Sequence, residues 1–196
     1  MEKDIQNHLN NIQLKGLQYY NDILQTIPYE EIQLHEKYLK NILNLIDPNA
    51  ELTIAGSYRR QKSNSGDIDL LLKSNSKKIY DKFIDTLSDN NYLQEHLARG
   101  SKKYMGLGKI NISPCFRRID IMYTKPEEYP FAILYFTGSG DFNVKMREYA
   151  LEKGFTINEY SMKHSKTKEK VNQIFNSEKD IFDFLKFEYQ EPQNRI

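Results

Sequence analysis

Two short runs constrain this chain more than anything else in it. Ala55-Gly-Ser-Tyr-Arg-Arg60 comes first, and Ser65-Gly-Asp-Ile-Asp69 then opens the run Asp67-Ile-Asp-Leu-Leu-Leu72. The second run, bounded by turn residues, predicts a buried strand. Residues i and i+2 of a strand share a face, so the carboxylates of Asp67 and Asp69 emerge side by side at its start. Adjacent like charges repel unless a cation lies between them. Two Mg2+ ions bridged by shared carboxylates resolve that conflict, with Mn2+ as the alternative, and two-metal sites perform in-line displacement at phosphorus. The Gly-Ser turn can present backbone N–H groups to phosphate oxygens, and Arg60 can add a charged fork.

Such a site needs a third anchor near the attacking hydroxyl. Arg117-Arg-Ile-Asp-Ile-Met-Tyr123 supplies Asp120 inside an otherwise apolar strand pattern. A buried aspartate is costly alone, so a metal or another cation should accompany it. Arg118, two residues earlier on the same face, could pair with Asp120 or touch the phosphate at a primer end.

Composition bounds the rest. The chain has 196 residues, 39% apolar and 28% charged, which suits one large domain or two small lobes. No apolar run approaches the roughly 20 residues of a membrane span, and Met1 to Ile5 lacks the apolar core of a signal peptide. A lone Cys115 excludes an internal disulfide framework and fits a reducing, intracellular compartment. The four histidines have no zinc-like spacing. A net charge of +1 is low for a nucleic-acid binder, but the charge is uneven. Leu97 to Arg118 carries Arg99, Lys102, Lys103, Lys109, Arg117 and Arg118 with no acid, and Lys163 to Lys170 is interrupted only by Glu169. A basic stripe can track a phosphate backbone, although charge runs more often form a solvated face.

Periodicity predicts helices over about 4–27, 29–46, 77–87, 130–136 and 143–153, with Gly154 past the end of the last. Ser57 could cap a short helix. Further strands are predicted over 52–55, 103–112, 117–123, 155–157 and 159–162. The basic stretch 163–170 reads as a turn or mobile loop, Ser177 as a helix start, and the tail from Glu191 as irregular. The expected fold class is α+β, a mixed β-sheet with flanking helices and a small C-terminal α/β subdomain. The expected division is 1–48 helical, 49–130 a sheet-containing unit with the Asp triad, and 131–196 a C-terminal unit.

These residues resemble the X family of DNA polymerases, the polymerase beta family. Gly56-Ser-Tyr-Arg-Arg60 with Ser65-Gly-Asp-Ile-Asp69 is similar to the palm signature of a nucleotidyltransferase superfamily. More specific are Leu134-Tyr-Phe-Thr-Gly-Ser139, Phe142-Asn143, Met146-Arg147 and Ala150-Leu-Glu-Lys-Gly-Phe-Thr-Ile-Asn-Glu-Tyr160. Ser177 to Asp183 and Tyr189 to Pro192 resemble the family's C-terminal segment. The resemblance implies that Asp67 and Asp69 ligate both metals and Asp120 the one at the primer hydroxyl. It implies that Ser57, Arg60, Ser65 and Gly66 hold a triphosphate. Tyr135, Phe136 and Gly138 would line its sugar, with Tyr135 excluding a 2′-hydroxyl, and Asn143 would touch the base. Arg147 would touch the template strand, Arg118 the primer end, and Lys103 the DNA.

The implied partners are a dNTP and gapped or primer–template DNA, with a ligase or other repair protein nearby; the expected state is a monomer without membrane association, in nucleus or cytoplasm. The expected activity is templated filling of short gaps; template-independent addition to nucleic-acid ends and a catalytically idle scaffold are the rivals. Some positions depart from the family pattern. The lysine-rich lyase helices and Gly-x-Gly hairpin elements are not seen, which predicts a weaker, salt-sensitive hold on DNA. Thr26 and Met122 stand where polymerase beta has arginines, and Gly140 where it has an aspartate. Met122 predicts that Glu159 lacks its usual partner. This reduced form resembles the short X-family polymerases of large cytoplasmic DNA viruses.

Overall fold

The structure is a computed structural model that describes residues 9–196. The expectations for Met1 to Ile5, and the predicted start of the first helix, lie outside the described residues. Helix α1 (Asn11–Gln18) carries a capping box in which Asn10 and Gln13 satisfy each other's backbone N–H groups. It breaks at Tyr19 and resumes as the one-turn α2 (Tyr20–Ile23). The single helix expected as far as Ile27 is therefore corrected. Ile27 is buried and belongs to a two-residue strand β1 (Ile27–Pro28), which pairs with β3 (Asn64–Ser65). Tertiary pairing outcompeted the helical period there.

Helix α3 (Tyr29–Ile46) follows Pro28, with Glu30 and Glu31 in the first turn opposite the positive end of the helix dipole. Its Ile32, His35, Leu39 and Leu43 recur at three- and four-residue spacings and are buried. Strand β2 (Glu51–Ile54) leads into α4 (Gly56–Arg59), whose cap position is Ala55; Ser57 lies inside the turn rather than capping it. After β3 come β4 (Ile68–Lys73), α5 (Lys77–Asp89), β5 (Leu93–Arg99), β6 (Lys103–Gly108) and β7 (Arg117–Thr124). Strand β5 was not foreseen, and β6 ends four residues short of the predicted Ile112.

Five strands form one sheet in the order β2-β4-β7-β6-β5. Strands β4 and β7 are parallel and the other neighbours antiparallel, which makes the sheet mixed. One face carries Ile68, Leu70, Leu72, Ile119, Ile121 and Tyr123 into a core with α3 and α5. The alternate residues Leu71 and Met122 pack on the other face with Ala55, Ala132 and Ile133. Burying each such side chain stabilises the fold by roughly 1.5–3 kcal/mol.

That second cover is α6 (Tyr129–Thr137), buried at six of its nine residues and half-buried at Tyr129, Tyr135 and Phe136. Helix α7 (Gly140–Glu152) starts at Ser139, whose side chain accepts from the Phe142 N–H. Gly154 follows its end at φ +87°, the conformation that favours glycine. The hairpin β8 (Phe155–Ile157) and β9 (Met162–His164) comes next, so the strand expected over 159–162 begins only at Met162. Helix α8 (Glu178–Leu185) opens on a Ser177–Asp180 capping box. Phe131, Leu134, Phe142, Met146, Phe182 and Leu185 form the C-terminal core.

The tail, expected to be irregular, contains one short regular turn. A turn of 3-10 helix (Pro192–Asn194) delivers Arg195 into full burial. Its guanidinium sits 5.3–5.7 Å from the ring centres of Phe142, Phe182 and Tyr189 and forms an ion pair with Glu178. Glu178 also pairs with Arg59, whose other arm donates 2.6 Å to Thr137 Oγ1. One chain of charge thus joins the last helix to α4 and to the end of α6. Among the described residues, no helix is long and apolar enough to cross a membrane.

Candidate active site

The sheet register brings the three aspartates together. Asp69 on β4 lies directly beside Asp120 on β7, and Asp67 precedes β4 on the same face. Farther along that face Leu71 and Met122 are covered by α6. The carboxylates therefore lie where the cover stops, with one oxygen from each within 4.8 Å of the others.

Burial pushes Asp69 up to about 7; Asp120 adds to the rise and Arg60 opposes it. Burial also raises Asp120, against the pull of Arg118. Asp120 Oδ1 is buried with no hydrogen-bond partner. Arg118 forms an ion pair with Asp67, and its Nε lies 3.8 Å from Asp120. Three hard oxygen donors, one a buried orphan and one whose carboxyl burial pushes up, fit divalent cations of the Mg2+ or Mn2+ kind.

Gly56 makes the approach to Asp69 feasible. Its φ is +55°, and a Cβ there would overlap the Asp69 carboxylate. Arg60 reaches back to the Thr137 carbonyl and lies against Gly138. Gly138, at φ +65°, ends α6.

A cavity of about 450 Å3 opens over the triad. The palm side contributes Ser57, Arg60, Asp67, Asp69, Asp120 and Lys103. Tyr135, Phe136, Gly138 and Asn143 form the opposite wall. Asn143 is held by donating 2.8 Å to the Tyr135 carbonyl. Arg147, one turn farther along α7, lies over the Tyr135 ring at 5.2 Å and borders a neighbouring cavity.

Ser65 and Gly66 lie outside the cavity lining. Ser65 is spent in the β1–β3 pair, and its buried hydroxyl is unpartnered. The lining also includes Gly56, Tyr104, Met105, Ile121 and Gly140, which sequence reasoning did not nominate as site residues. The strand period could have found Met105, since its register partner is Asp120. A Cβ at Gly140 would meet nothing within 4 Å.

Glu159 does not lack a partner. Met122 is fully buried under α6, but Lys103, its register partner on β6, reaches Glu159 at 3.0 Å. The pair is supplied from β6, the strand next to Met122. Most of the first basic stripe is likewise neutralised within the chain. Arg99 pairs with Asp85, Lys102 with Glu128, Arg117 with Glu31, and Arg118 with Asp67.

A family model described as DNA polymerase beta palm matches residues 26–126, and one described as DNA polymerase beta thumb matches 132–196. The chain is 29% identical to DNA polymerase lambda of Rattus norvegicus, over 92% of this chain and 35% of that protein. It is 29% identical to DNA polymerase lambda of Arabidopsis thaliana, over 98% of this chain and 41% of that protein. It is 28% identical to DNA nucleotidylexotransferase of Xenopus laevis, over 99% and 45% respectively. The chain thus spans less than half the length of these curated relatives.

Proposed function

The chain belongs to the X family of DNA polymerases, and from that premise we propose that it is a template-directed DNA polymerase that adds dNTPs to a primer 3′-hydroxyl and fills short gaps during repair. The observation that carries this reading is the facing of two walls. The Asp triad stands on one side of the cavity, and Tyr135, Phe136 and Asn143 stand on the other. A nucleotide between them would have its phosphates at the carboxylates and its sugar and base at α6 and α7. In this reading 49–130 is the palm, 131–196 binds nucleotide and template, and the described part of 1–48 is a helical lead-in.

Asp67, Asp69 and Asp120 would hold two divalent cations, Mg2+ or Mn2+, which when bound polarise the phosphate and acidify the primer hydroxyl. The rest follows from the chain's own groups. Arg60 and the α4 backbone amides bind the triphosphate and neutralise charge on the leaving pyrophosphate. Asp120 Oδ1, buried and unpartnered, accepts the proton of the primer hydroxyl as its oxygen attacks the α-phosphorus. Arg118 leaves Asp67 for the phosphate at the primer end. Tyr135 blocks the space of a ribose 2′-hydroxyl. Asn143 and Arg147 offer donors on one helix face, and minor-groove acceptors lie at similar places in every Watson–Crick pair, so these donors check pair shape without reading sequence.

Extension of a primer opposite each of the four template bases, one dNTP at a time, tests the proposal. Incorporation of the complementary nucleotide in each case is expected. Equal addition of all four, with or without template, would replace it by terminal addition, the reading favoured by the nucleotidylexotransferase relative.

A further inference from the structure

The turn between β9 and Val171 is the charged patch that nothing above uses. Lys163, Lys166, Lys168 and Lys170 are all exposed. Five of the six cations between Leu97 and Arg118 pair with carboxylates. Among the described residues, none of these four lysines does. Lys163 and Lys170 face each other across an antiparallel bridge, where like charges destabilise.

The turn is nonetheless built. Lys168 N–H donates to His164 O at 3.0 Å, His164 N–H to Glu169 O at 2.9 Å, and Ser165 N–H to Gly154 O at 2.8 Å. Lys168 itself takes a left-handed φ of +63°, which costs a lysine roughly 1–2 kcal/mol. An ordered turn that gathers four unpaired lysines against one exposed acid, Glu169, at its own expense is arranged for an anionic partner.

The cavities show which one. Tyr135 and Asn143 border both the reaction cavity and a small second cavity. Arg147 and Ile157 border that second cavity and a third of about 380 Å3, which reaches Lys163. Three adjoining cavities, sharing wall residues in turn, therefore lead from the reaction centre past Arg147 to Lys163 at the base of the turn.

We propose that the Lys163–Lys170 turn is a phosphate-binding arm that holds the single-stranded template beyond the nucleotide being copied, after it passes Arg147. The inference rests on the polymerase reading, since only a templated reaction sends an unpaired strand past α7 away from the primer end.

The test measures binding of the full chain, without dNTP, to two labelled primer–templates. One has a long 5′ template overhang and the other a single templating nucleotide. Four phosphate contacts to a single strand steepen the salt dependence by about 2.8 in log K against log [salt], so the affinity advantage of the long overhang should shrink ~50-fold between roughly 50 and 200 mM salt. The variant K163Q/K166Q/K168Q/K170Q should lose that advantage and bind both DNAs as the wild type binds the short one. K166Q/K168Q, at the turn tip, should lose about half of the slope, which guards against a folding defect in the fourfold variant. K78Q/K82Q on α5 should change neither. An overhang advantage unchanged in the lysine variants, or an equal loss on both DNAs, overturns the arm. A wild type that binds both DNAs and extends neither refutes the polymerase reading and leaves the binding result to judge the arm.

Discussion

At the scale of single residues, the site depends on positions where no other side chain fits. Gly56 is one, because its φ of +55° and its contact with Asp69 both exclude a Cβ. Gly56→Ala is expected to cost about 1–3 kcal/mol, lowering the melting temperature by several degrees, and to displace Asp69, so that primer extension falls at least ~10-fold. A variant that melts and extends like the wild type would contradict this. Asp120→Ala is expected to reduce extension by more than ~100-fold while nucleotide binding, read by fluorescence titration, largely survives; normal extension would refute the proposed role of the triad. If Tyr135 is the sugar gate proposed above, Tyr135→Ala should narrow the preference for dNTP over rNTP, measured as a ratio of kcat/KM values. The aspartates were legible because an i, i+2 acidic pair at a strand start has few stable uses. Ser65 pairs with Ile27 outside the cavity lining, a long-range pairing that the sequence could not reveal.

Elements show a second kind of dependence, in which one strand supplies what its neighbour lacks. Met122 is committed to packing under α6, and Lys103, facing it across β6 and β7, takes Glu159 instead. The pair is half-exposed on the lysine side, so Glu159→Gln should change global stability by less than ~1 kcal/mol. It should still release the turn between β8 and β9. Faster amide exchange at residues 158–162, with the core of β4 and β7 unaffected, is the expected signature; unchanged exchange would show that packing alone holds the hairpin. The substitution at position 122 was visible in the sequence. Its remedy was not, since the cross-strand register is decided by the sheet. Strand β5 escaped notice for a related reason: Leu93–Arg99 buries only one residue fully and its polar edge positions carry little alternation.

For the whole molecule, two buried polar networks tie distant segments together. Glu178 sits between Arg59 and the fully buried Arg195. Glu178→Gln leaves Arg195 without its carboxylate and should cost ~3–5 kcal/mol in urea unfolding, whereas Lys179→Gln next to it, on the exposed face, should leave the urea midpoint unchanged. His35, fully buried, contacts Tyr92 Oη at 2.7 Å, Ser113 Oγ at 3.2 Å and Glu31 at 3.7 Å, with Arg117 behind Glu31. Burial, only partly offset by Glu31, lowers its pKa to about 4. Below its ordinary value of 6.5 the unfolded chain takes up a proton that the folded chain refuses. His35 therefore favours folding at pH 7, and that contribution is lost as the pH falls from 6.5 toward 4, by up to ~3 kcal/mol. Asp69, raised to about 7, acts in the opposite sense over the same range. The measurement is thus the difference between wild type and His35→Gln: their stability gap should shrink on acidification from pH 7 to 4.5, and a constant gap would refute the assignment.

The chain by itself determined the reacting groups, the α+β class and most helices, because local periodicity and turn chemistry are short-range properties. It also carried the family, through motifs whose order is linear. Only the tertiary structure decided which charges are neutralised and which remain free. It paired five of the six cations of 97–118 with carboxylates from five other segments, buried Arg195 among three rings, and, among the described residues, gave the lysines of 163–170 no carboxylate partner. Charge pairing acts between residues far apart in sequence, over a few ångströms of space, and that distance exists only once the sheet has chosen its register.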